Sequence, residues 1–188
     1  PILKIFNKKI YITFHGYEGS SLPSRKAIFW HRLSSLLTDG NICIGGFHKK
    51  WYGVDADITS FGASNVEVTT DLSLKKKRSI VRILFLGRLA EDTGFLQYLA
   101  AIRLIKNKCN IILDVFGDGP HKMVGMLFAK KYQLPVVFHG FISNSFIDLD
   151  HYNIAFVSRH LAILECLSKG LPVIAHYNNE IKKDYLLL

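Results

Sequence analysis

The chain has 188 residues, enough for one sizeable core or for one full domain plus part of a second. Its 49% apolar content and mean hydropathy of +0.18 exclude a disordered chain, and no apolar run approaches the roughly 20 residues of a membrane-spanning helix. The net charge of +9 indicates an anionic partner, namely phosphate groups, an acidic membrane surface or nucleic acid. The chain shows no secretory leader pattern, which predicts a cytoplasmic location.

The cysteines and histidines argue against a metal site. Cys43, Cys109 and Cys166 are odd in number and widely spaced in apolar sequence, a pattern that favours reduced core thiols over disulfides. The eight histidines show no HxxxH spacing, and the cysteines show no CxxC spacing. The sequence therefore predicts no metal.

The first segment has the pattern of a partial α/β domain. A strand is predicted at residues 10–14, a small-residue loop at 15–21 and a helix at 24–37, and short strands follow at 41–44 and 57–59. A polar stretch then ends in the basic run Lys75-Lys76-Lys77-Arg78, which is typical of a linker. We therefore predict a first domain at 1–70, a basic linker at 71–79 and a second domain at 80–188.

The second segment alternates strands with helices. This order predicts a parallel, doubly wound, Rossmann-like sheet with crossover helices. The predicted strands cover residues 81–86, 111–116, 136–138, 154–157 and 173–175, and the predicted helices cover residues 94–106, 121–132, 144–149 and 161–169.

Ligands of such sheets bind outside the carboxyl ends of the strands, so the loops after the strands are the candidate site. Three of these loops begin with glycine or contain it, which lets backbone N–H groups approach a ligand. Arg88 follows the first strand of this segment, and its guanidinium could bind a diphosphate there. The alternative is a surface arginine that caps a carbonyl group. The loop residues are Gly87, Arg88, Thr93, Gly94, Gly117, Gly119, Gly140, Phe141, Ser158, Arg159 and His160.

The loop at Gly117-Asp118-Gly119-Pro120 is not the dinucleotide motif GxGxxG, because proline follows the second glycine and a third glycine is missing. It is interpreted as a tight turn that lines a nucleotide pocket.

The helix after Ser158 carries one carboxylate. Ser158 is the predicted N-cap, Gly170 ends the helix and Pro172 opens the next strand, so Glu165 is expected near the helix start. There it could accept hydroxyl hydrogen bonds beside a phosphate held at the helix terminus. The alternative is a glutamate that only favours the helix dipole.

Four pieces in this order resemble the retaining GT-B glycosyltransferases of the group 1 type, also described as family 4-like. These pieces are Phe85-Leu86-Gly87-Arg88-Leu89 with Thr93-Gly94, then Val115-Phe116-Gly117-Asp118-Gly119-Pro120, then Phe138-His139-Gly140-Phe141, and finally Glu165-Cys166-Leu167 with Gly170-Leu171-Pro172-Val173-Ile174-Ala175. The resemblance implies two Rossmann-like domains, with the first segment being the end of the acceptor-side domain and Phe61-Gly62-Ala63-Ser64 entering the linker.

The resemblance also implies residue roles. It places diphosphate binding on Arg88, ribose binding on Glu165 and a catalytic-site histidine on His15, although a lone histidine is more often structural. Donor contacts are further expected from Leu161 and from the loop residues named above. Sugar would pass from a UDP- or GDP-linked donor to a glycan, a lipid-linked or a small-molecule acceptor, with retention of configuration and no metal or other cofactor.

The sequence departs from the family pattern in three ways. Thr93 stands where the family has a lysine, and Arg159 or Lys122 is the candidate replacement cation. The loop before the ribose glutamate is shortened to Ser158-Arg159-His160-Leu161 and lacks a carboxylate. The start of the first domain and the returning C-terminal helix are missing, so a fragment or a truncated member is expected.

Three other functions compete with glycosyl transfer. A non-catalytic module that binds a nucleotide or a sugar nucleotide would explain the missing lysine and glutamate. A nucleic-acid binder would explain the charge, but no nucleic-acid fold signature accompanies it, so nucleic acid is disfavoured. The basic run could also dock on anionic lipid at the inner face of the membrane, although a solvated linker is the favoured interpretation.

Overall fold

The computed structural model describes residues 6–17, 22–60, 79–142 and 147–187, and it divides into two compact units. Unit 1 comprises Pro1–Ala63 together with Asn178–Leu188, and unit 2 comprises Ser64–Tyr177. The predicted second domain extended to residue 188, whereas residues 178–188 belong to unit 1. The basic run and the Phe61–Ser64 segment lie outside the described residues.

Unit 1 contains a small parallel sheet. Its strands, in spatial order, are β1 (Tyr11–Phe14), β2 (Gly40–Cys43) and β3 (Ile58–Thr59). Helix α1 (Arg25–Leu36) begins where the Ser24 hydroxyl accepts a hydrogen bond from Ala27 N at 3.1 Å. Helix α2 (Phe47–Tyr52), which the sequence did not predict, ends at Gly53 with φ 67°, a left-handed conformation that suits glycine.

Unit 2 is a parallel sheet with strand order β6-β5-β4-β7-β8. The chain builds outward from β4 through β5 to β6, then returns to the other side of β4 with β7 and β8. This reversal places a topological switch point between β4 and β7, and it confirms the predicted doubly wound class. The elements are β4 (Val81–Leu86), α3 (Phe95–Ile105), β5 (Ile111–Phe116), α4 (Lys122–Lys131), β6 (Val136–Gly140), β7 (Ile154–Phe156), α5 (His160–Ser168) and β8 (Val173–Ile174).

Most predicted boundaries in unit 2 agree with the structure within two residues. A 3-10 turn at Glu91–Thr93 precedes α3. The short helix predicted at 144–149 falls largely on residues outside the described ranges, and a 3-10 turn is present at Leu149–His151.

The core of unit 2 lies between its sheet and α3. Successive residues of β4 are buried from Ile83 to Leu86, as expected for a parallel strand covered on both faces. Helix α3 buries residues at helical spacing against this sheet, and these residues are Phe95, Tyr98, Leu99 and Ile102.

A last helix, α6 (Glu180–Leu186), completes unit 1 rather than unit 2. Ile181 and Tyr185 join the unit 1 core. Trp51 Nε1 donates to Asp184 at 2.7 Å, and Lys50 Nζ lies 2.6 Å from the same carboxylate. Burial of these apolar side chains against α2 holds the segment in unit 1. None of the described helices is long and apolar enough to cross a membrane.

A buried carboxylate links three strands of unit 2. Asp114 on β5 is 2% exposed, and it accepts a hydrogen bond from Arg82 at 3.0 Å and lies 2.7 Å from His139 Nε2. The pKa of nearby Tyr152 is raised to about 12, because burial disfavours its phenolate and because the Asp114 charge repels it. The neutral phenol is thus the form that the folded state stabilises.

Replacement of Tyr152 should change the alkaline stability of the chain. A raised pKa contributes stability that is complete below the unfolded value near 10 and is lost as the pH rises towards 12. Tyr152→Phe removes this titration, so the free energy of unfolding of the variant should fall less steeply than that of the wild type between pH 10 and 12. At pH 11 the variant should have lost about 1 kcal/mol less than the wild type. Urea unfolding across this range measures the slope. Tyr177→Phe, at an exposed tyrosine of the same unit, should follow the wild-type slope, and identical slopes for all three proteins would contradict the interpretation.

Candidate functional site

A cavity of about 430 Å³ lies at the carboxyl ends of β4, β5 and β6, beside the N-terminus of α5. Its position at the edge where the strand order reverses is the ordinary ligand position of open α/β sheets. The lining residues are Leu86, Gly87, Arg88, Phe116, Gly117, Asp118, Phe141, Ile142, Arg159, Leu161 and Ala162.

Backbone hydrogen bonds join the first residue of a loop to the last residue of the neighbouring strand. Gly87 N donates to Phe116 O at 3.1 Å, and Gly117 N donates to Gly140 O at 2.7 Å. A Cβ atom on Gly117 would lie 1.9 Å from the Gly87 carbonyl oxygen. Only glycine allows this approach, so the backbone of the loop after β5 packs directly against that of the loop after β4.

Two arginines from different loops share one carboxylate at the cavity. Asp92 lies in the 3-10 turn after β4, and its oxygens accept hydrogen bonds from Arg88 Nη2 at 2.9 and 3.0 Å. Arg159 Nη2 donates to the same Oδ2. Two guanidinium groups and one carboxylate leave a formal charge of +1, and Asp92 is only 14% exposed, so the arrangement has the chemistry to bind an anion.

The N-terminus of α5 adds to this positive potential. Arg159 is its N-cap residue and forms no side-chain capping bond, and Leu161 and Ala162 in the first turn line the cavity. The positive end of the helix dipole therefore lies at the cavity, where it favours a bound anion.

Asp118 contributes a carboxylate to the cavity lining, which does not include Asp92. Its oxygens accept hydrogen bonds from Lys122 Nζ at 2.8 Å and from Gly119 N at 2.7 Å. These hydrogen bonds lower the pKa of Asp118, and the bond from Lys122 has the larger effect. Lys122 is thus paired with Asp118 and is absent from the lining residues.

Six of the residues predicted to contact the donor line the cavity, and they are Gly87, Arg88, Gly117, Phe141, Arg159 and Leu161. Phe141 is 82% exposed at the cavity. The loops predicted from the strand ends are therefore brought together at one place. The predicted residues that do not line the cavity are Thr93, Gly94, Gly119, Gly140, Ser158, His160 and Glu165.

Several of these other residues serve the loop structure. The Thr93 hydroxyl is buried and donates to the carbonyl oxygens of Arg88 and Ala90, at 2.7 and 2.9 Å. A Cβ on Gly94 would meet the His176 ring at 2.4 Å, and one on Gly119 would meet the Leu89 carbonyl oxygen at 2.6 Å. Thr93, Gly94 and Gly119 therefore stabilise the conformation of the loops without lining the cavity.

Ser158 is not the N-cap of α5, since the N-cap residue is Arg159 and the helix begins at His160. Ser158 is 3% exposed, and its Oγ lies 2.9 Å from the Tyr98 hydroxyl and accepts from His176 N at 3.1 Å. The serine joins α3 to the segment after β8 and does not cap the helix.

Glu165 lies in the middle of α5, as the sixth of nine residues, and the first turn contains no acidic residue. The expectation that it lies near the helix start is therefore wrong, because the helix begins two residues after Ser158. Glu165 is half-buried and follows the cavity residues Leu161 and Ala162 by four and three positions, which places it on their face of the helix.

His15 belongs to a different unit from the cavity. It follows β1 in unit 1 and is exposed, whereas the cavity lies wholly in unit 2.

The sequence reasoning missed Asp92 and Asp118 as site residues. Each lies four residues from a basic partner, Asp92 after Arg88 and Asp118 before Lys122, and this i, i+4 spacing was the signal available. Within the described ranges, no group of three or more histidine, cysteine or carboxylate side chains is arranged to hold a metal ion.

Neither a protein-family model nor a curated protein sequence matches this chain. Solved structures do match it. A mutant of S. aureus TarM, in complex with fondaparinux, alpha-GlcNAc-glycerol and UDP, gives a TM-score of 0.70 at 14% identity over 100% of this chain and 46% of that one. The fold is that of the GT-B glycosyltransferases.

Two further GT-B glycosyltransferases match over most of the chain. The pneumococcal O-GlcNAc transferase GtfA, in complex with UDP and GlcNAc, gives a TM-score of 0.66 at 16% identity and covers 91% of this chain and 38% of GtfA. Anabaena HepE, in complex with UDP and glucose, gives a TM-score of 0.65 at 15% identity and covers 92% of this chain and 54% of HepE. The chain thus spans between 38% and 54% of the length of these proteins.

A methyl group at Gly117 should destabilise unit 2. Gly117→Ala forces Cβ against the Gly87 carbonyl oxygen, and we expect a loss of about 2–4 kcal/mol in the free energy of unfolding. Gly87→Ala is the matched control, because Gly87 also has a positive φ, of 151°, but a Cβ atom there would meet no atom within 4 Å. Urea unfolding of both variants tests the difference, and equal losses would show that the close approach does not govern stability.

Proposed function

We propose that the cavity of unit 2 binds the nucleoside diphosphate part of a nucleotide sugar and that the chain takes part in glycosyl transfer. The observation that carries this proposal is the pair of guanidinium groups, Arg88 and Arg159, held by Asp92 at the carboxyl ends of the strands. The GT-B fold supports it, and so do the neighbours whose structures include UDP.

The chemistry of a leaving diphosphate suits this cluster. Negative charge grows on the diphosphate as the bond to the sugar breaks, and preorganised cations stabilise that charge more strongly than mobile water does. Asp92 fixes both guanidinium groups before the ligand arrives. The Arg88 and Arg159 side chains are 57% and 44% exposed, so each can still contact a phosphate while it remains bound to Asp92.

The family has a lysine at the position of Thr93, and Arg159 is a better candidate than Lys122 to replace its charge. Arg159 lines the cavity, whereas Lys122 does not and is paired with Asp118. The two arginines approach from the loops after β4 and β7, on the two sides of the switch point. We therefore assign the diphosphate to this pair.

Glu165 is proposed to bind the ribose of the donor, since it shares a helix face with the cavity residues Leu161 and Ala162. Transfer with retention of configuration, a UDP- or GDP-linked donor, and a role for His15 near the transferred sugar remain proposals from the resemblance. The same holds for the acceptor, which would be a glycan, a lipid-linked sugar or a small molecule. The cytoplasmic location stays a prediction.

A non-catalytic nucleotide-binding module is the second candidate. The observation that favours it is Thr93, whose hydroxyl is engaged by backbone carbonyl oxygens and supplies no charge to a donor phosphate. Incubation with radiolabelled UDP-sugars and GDP-sugars separates the two candidates. Release or transfer of the sugar supports an enzyme, and saturable binding without turnover supports the module.

Substitution of either cavity arginine should weaken diphosphate binding. Each charge-assisted hydrogen bond contributes about 1.5–3 kcal/mol, so Arg88→Ala and Arg159→Ala should each raise the Kd for the bound nucleoside diphosphate about tenfold or more. Calorimetric titration with UDP, GDP and ADP measures these constants and identifies the base. Arg103→Ala, on α3 and in cation–π contact with Tyr132, is the matched control and should bind as the wild type does. Unchanged affinity in both cavity variants would refute the site.

The ribose role of Glu165 can be tested with a deoxy ligand. Wild-type protein should prefer the ribonucleoside diphosphate over its 2′,3′-dideoxy form by roughly tenfold, as expected for loss of a hydrogen bond to a carboxylate. Glu165→Ala should remove this preference while leaving the affinity for the dideoxy form unchanged. Glu91→Ala is a control at an exposed glutamate. A full preference in the Glu165 variant would assign the ribose to other residues.

A further inference from the structure

Helix α4 presents large apolar side chains to solvent. Met123, Val124, Met126 and Leu127 are 67%, 52%, 43% and 60% exposed. The chain has two methionines, and both are on this face. Isolated exposed apolar residues are ordinary, but a contiguous group on one helix indicates an interaction surface.

The packing of α4 fixes this orientation. Gly125 and Ala129 are buried on the opposite side of the helix, and a Cβ on Gly125 would lie 2.3 Å from the Phe95 ring of α3. Phe128 packs on the core of unit 2. The helix cannot rotate its methionines inward without losing these contacts, so the apolar face is a stable feature of the folded unit.

The same helix is basic at its C-terminal end. It contains three lysines, Lys122, Lys130 and Lys131, and no acidic residue. Lys130 and Lys131 are exposed in its last turn. Apolar side chains thus lie next to positive charge along one helix, as in helices that lie in a membrane interface.

The end of α3 extends the basic region. The Arg103 guanidinium lies 4.0 Å from the centroid of the Tyr132 ring, and Lys131 Nζ lies 5.4 Å from it. Lys106 Nζ donates to the Tyr132 carbonyl oxygen. Tyr132 therefore contacts three cations, two at its ring and one at its carbonyl oxygen. We call the combined surface the α4 patch, and it comprises Arg103, Lys106, Met123, Val124, Met126, Leu127, Lys130 and Lys131.

We propose that the α4 patch binds the surface of an anionic lipid bilayer. The apolar side chains would enter the boundary between headgroups and acyl chains, and the lysines would extend their charged ends to the lipid phosphates. An anionic bilayer is the proposed occupant because it is complementary both to the apolar side chains and to the positive charges of the patch.

The charges disfavour the other occupants. A second copy packed about a two-fold axis on α4 would bring together two helices that each carry three lysines and no acidic residue, which is repulsive. A nucleic-acid backbone would satisfy the lysines but would leave the methionines and Leu127 without an apolar partner. A bilayer interface satisfies both groups at once.

The α4 patch is separate from the proposed donor site. The cavity lies at the carboxyl ends of the strands, whereas Lys130 and Lys131 lie at the opposite end of the sheet, beside the start of β6. None of the patch residues lines the cavity, and lipid binding can be measured without a nucleotide.

Co-sedimentation with vesicles tests the proposal. The full chain is mixed with vesicles of phosphatidylcholine alone or with phosphatidylglycerol added. Met123→Ser/Leu127→Ser removes two apolar side chains and Lys130→Gln/Lys131→Gln removes two charges, and each pair should weaken binding to the anionic vesicles about tenfold or more. The matched controls are Leu36→Ser/Leu167→Ser and Lys8→Gln/Lys9→Gln, at residues exposed elsewhere, and they should change binding less than twofold.

The expected result is binding to the anionic vesicles, weak binding to the neutral ones and a loss in both patch variants. Absence of vesicle binding by the wild type would overturn the proposal. So would equal losses in patch and control variants, because binding would then follow overall charge alone. Light scattering on the same proteins provides a further check, since a wild-type dimer that the apolar patch variant dissociates would assign the surface to self-association and overturn lipid binding.

Discussion

The site depends on the close approach of the backbones after β4 and β5. The Gly117 Cα lies so near the Gly87 carbonyl group that a side chain cannot be placed there, and hydrogen bonds then connect the loops after β4, β5 and β6. Leu89 N donates to Asp118 O at 2.9 Å, and His121 N donates to Leu89 O at 2.8 Å. Because these loops are fixed by backbone contacts, they can hold arginine and aromatic side chains around a cavity without support from a bound ligand.

The arrangement of charge follows from this frame. The loop after β4 turns back through a 3-10 turn and brings Asp92 beside Arg88, while α5 starts at Arg159 on the other side of the switch point. A carboxylate between two guanidinium groups lowers their mutual repulsion and leaves one net positive charge for an anion. In the proposed donor site Arg159 would supply the cation that Thr93 lacks, while the Thr93 hydroxyl donates to carbonyl oxygens of the loop.

Much of unit 2 could be predicted from the sequence, because its signals are local. Alternating apolar strands and helices gave the sheet class, and the loops after the strands gave Gly87, Arg88 and Gly117 as cavity residues. The rest depends on contacts that are distant along the chain. Helix α6 packs in unit 1 through the hydrogen bond between Trp51 and Asp184, which are far apart in sequence. Ser158 forms hydrogen bonds with Tyr98 and His176 instead of capping α5. No local pattern reports such pairings.

The central claim is that the diphosphate of a nucleotide binds between Arg88 and Arg159. A crystal structure of the chain grown with the nucleoside diphosphate that binds most tightly tests it most directly. We expect phosphate oxygens within hydrogen-bond distance of both guanidinium groups, with the ribose towards Glu165. A diphosphate bound elsewhere on the chain, or bound in the cavity without contact to either arginine, would contradict it.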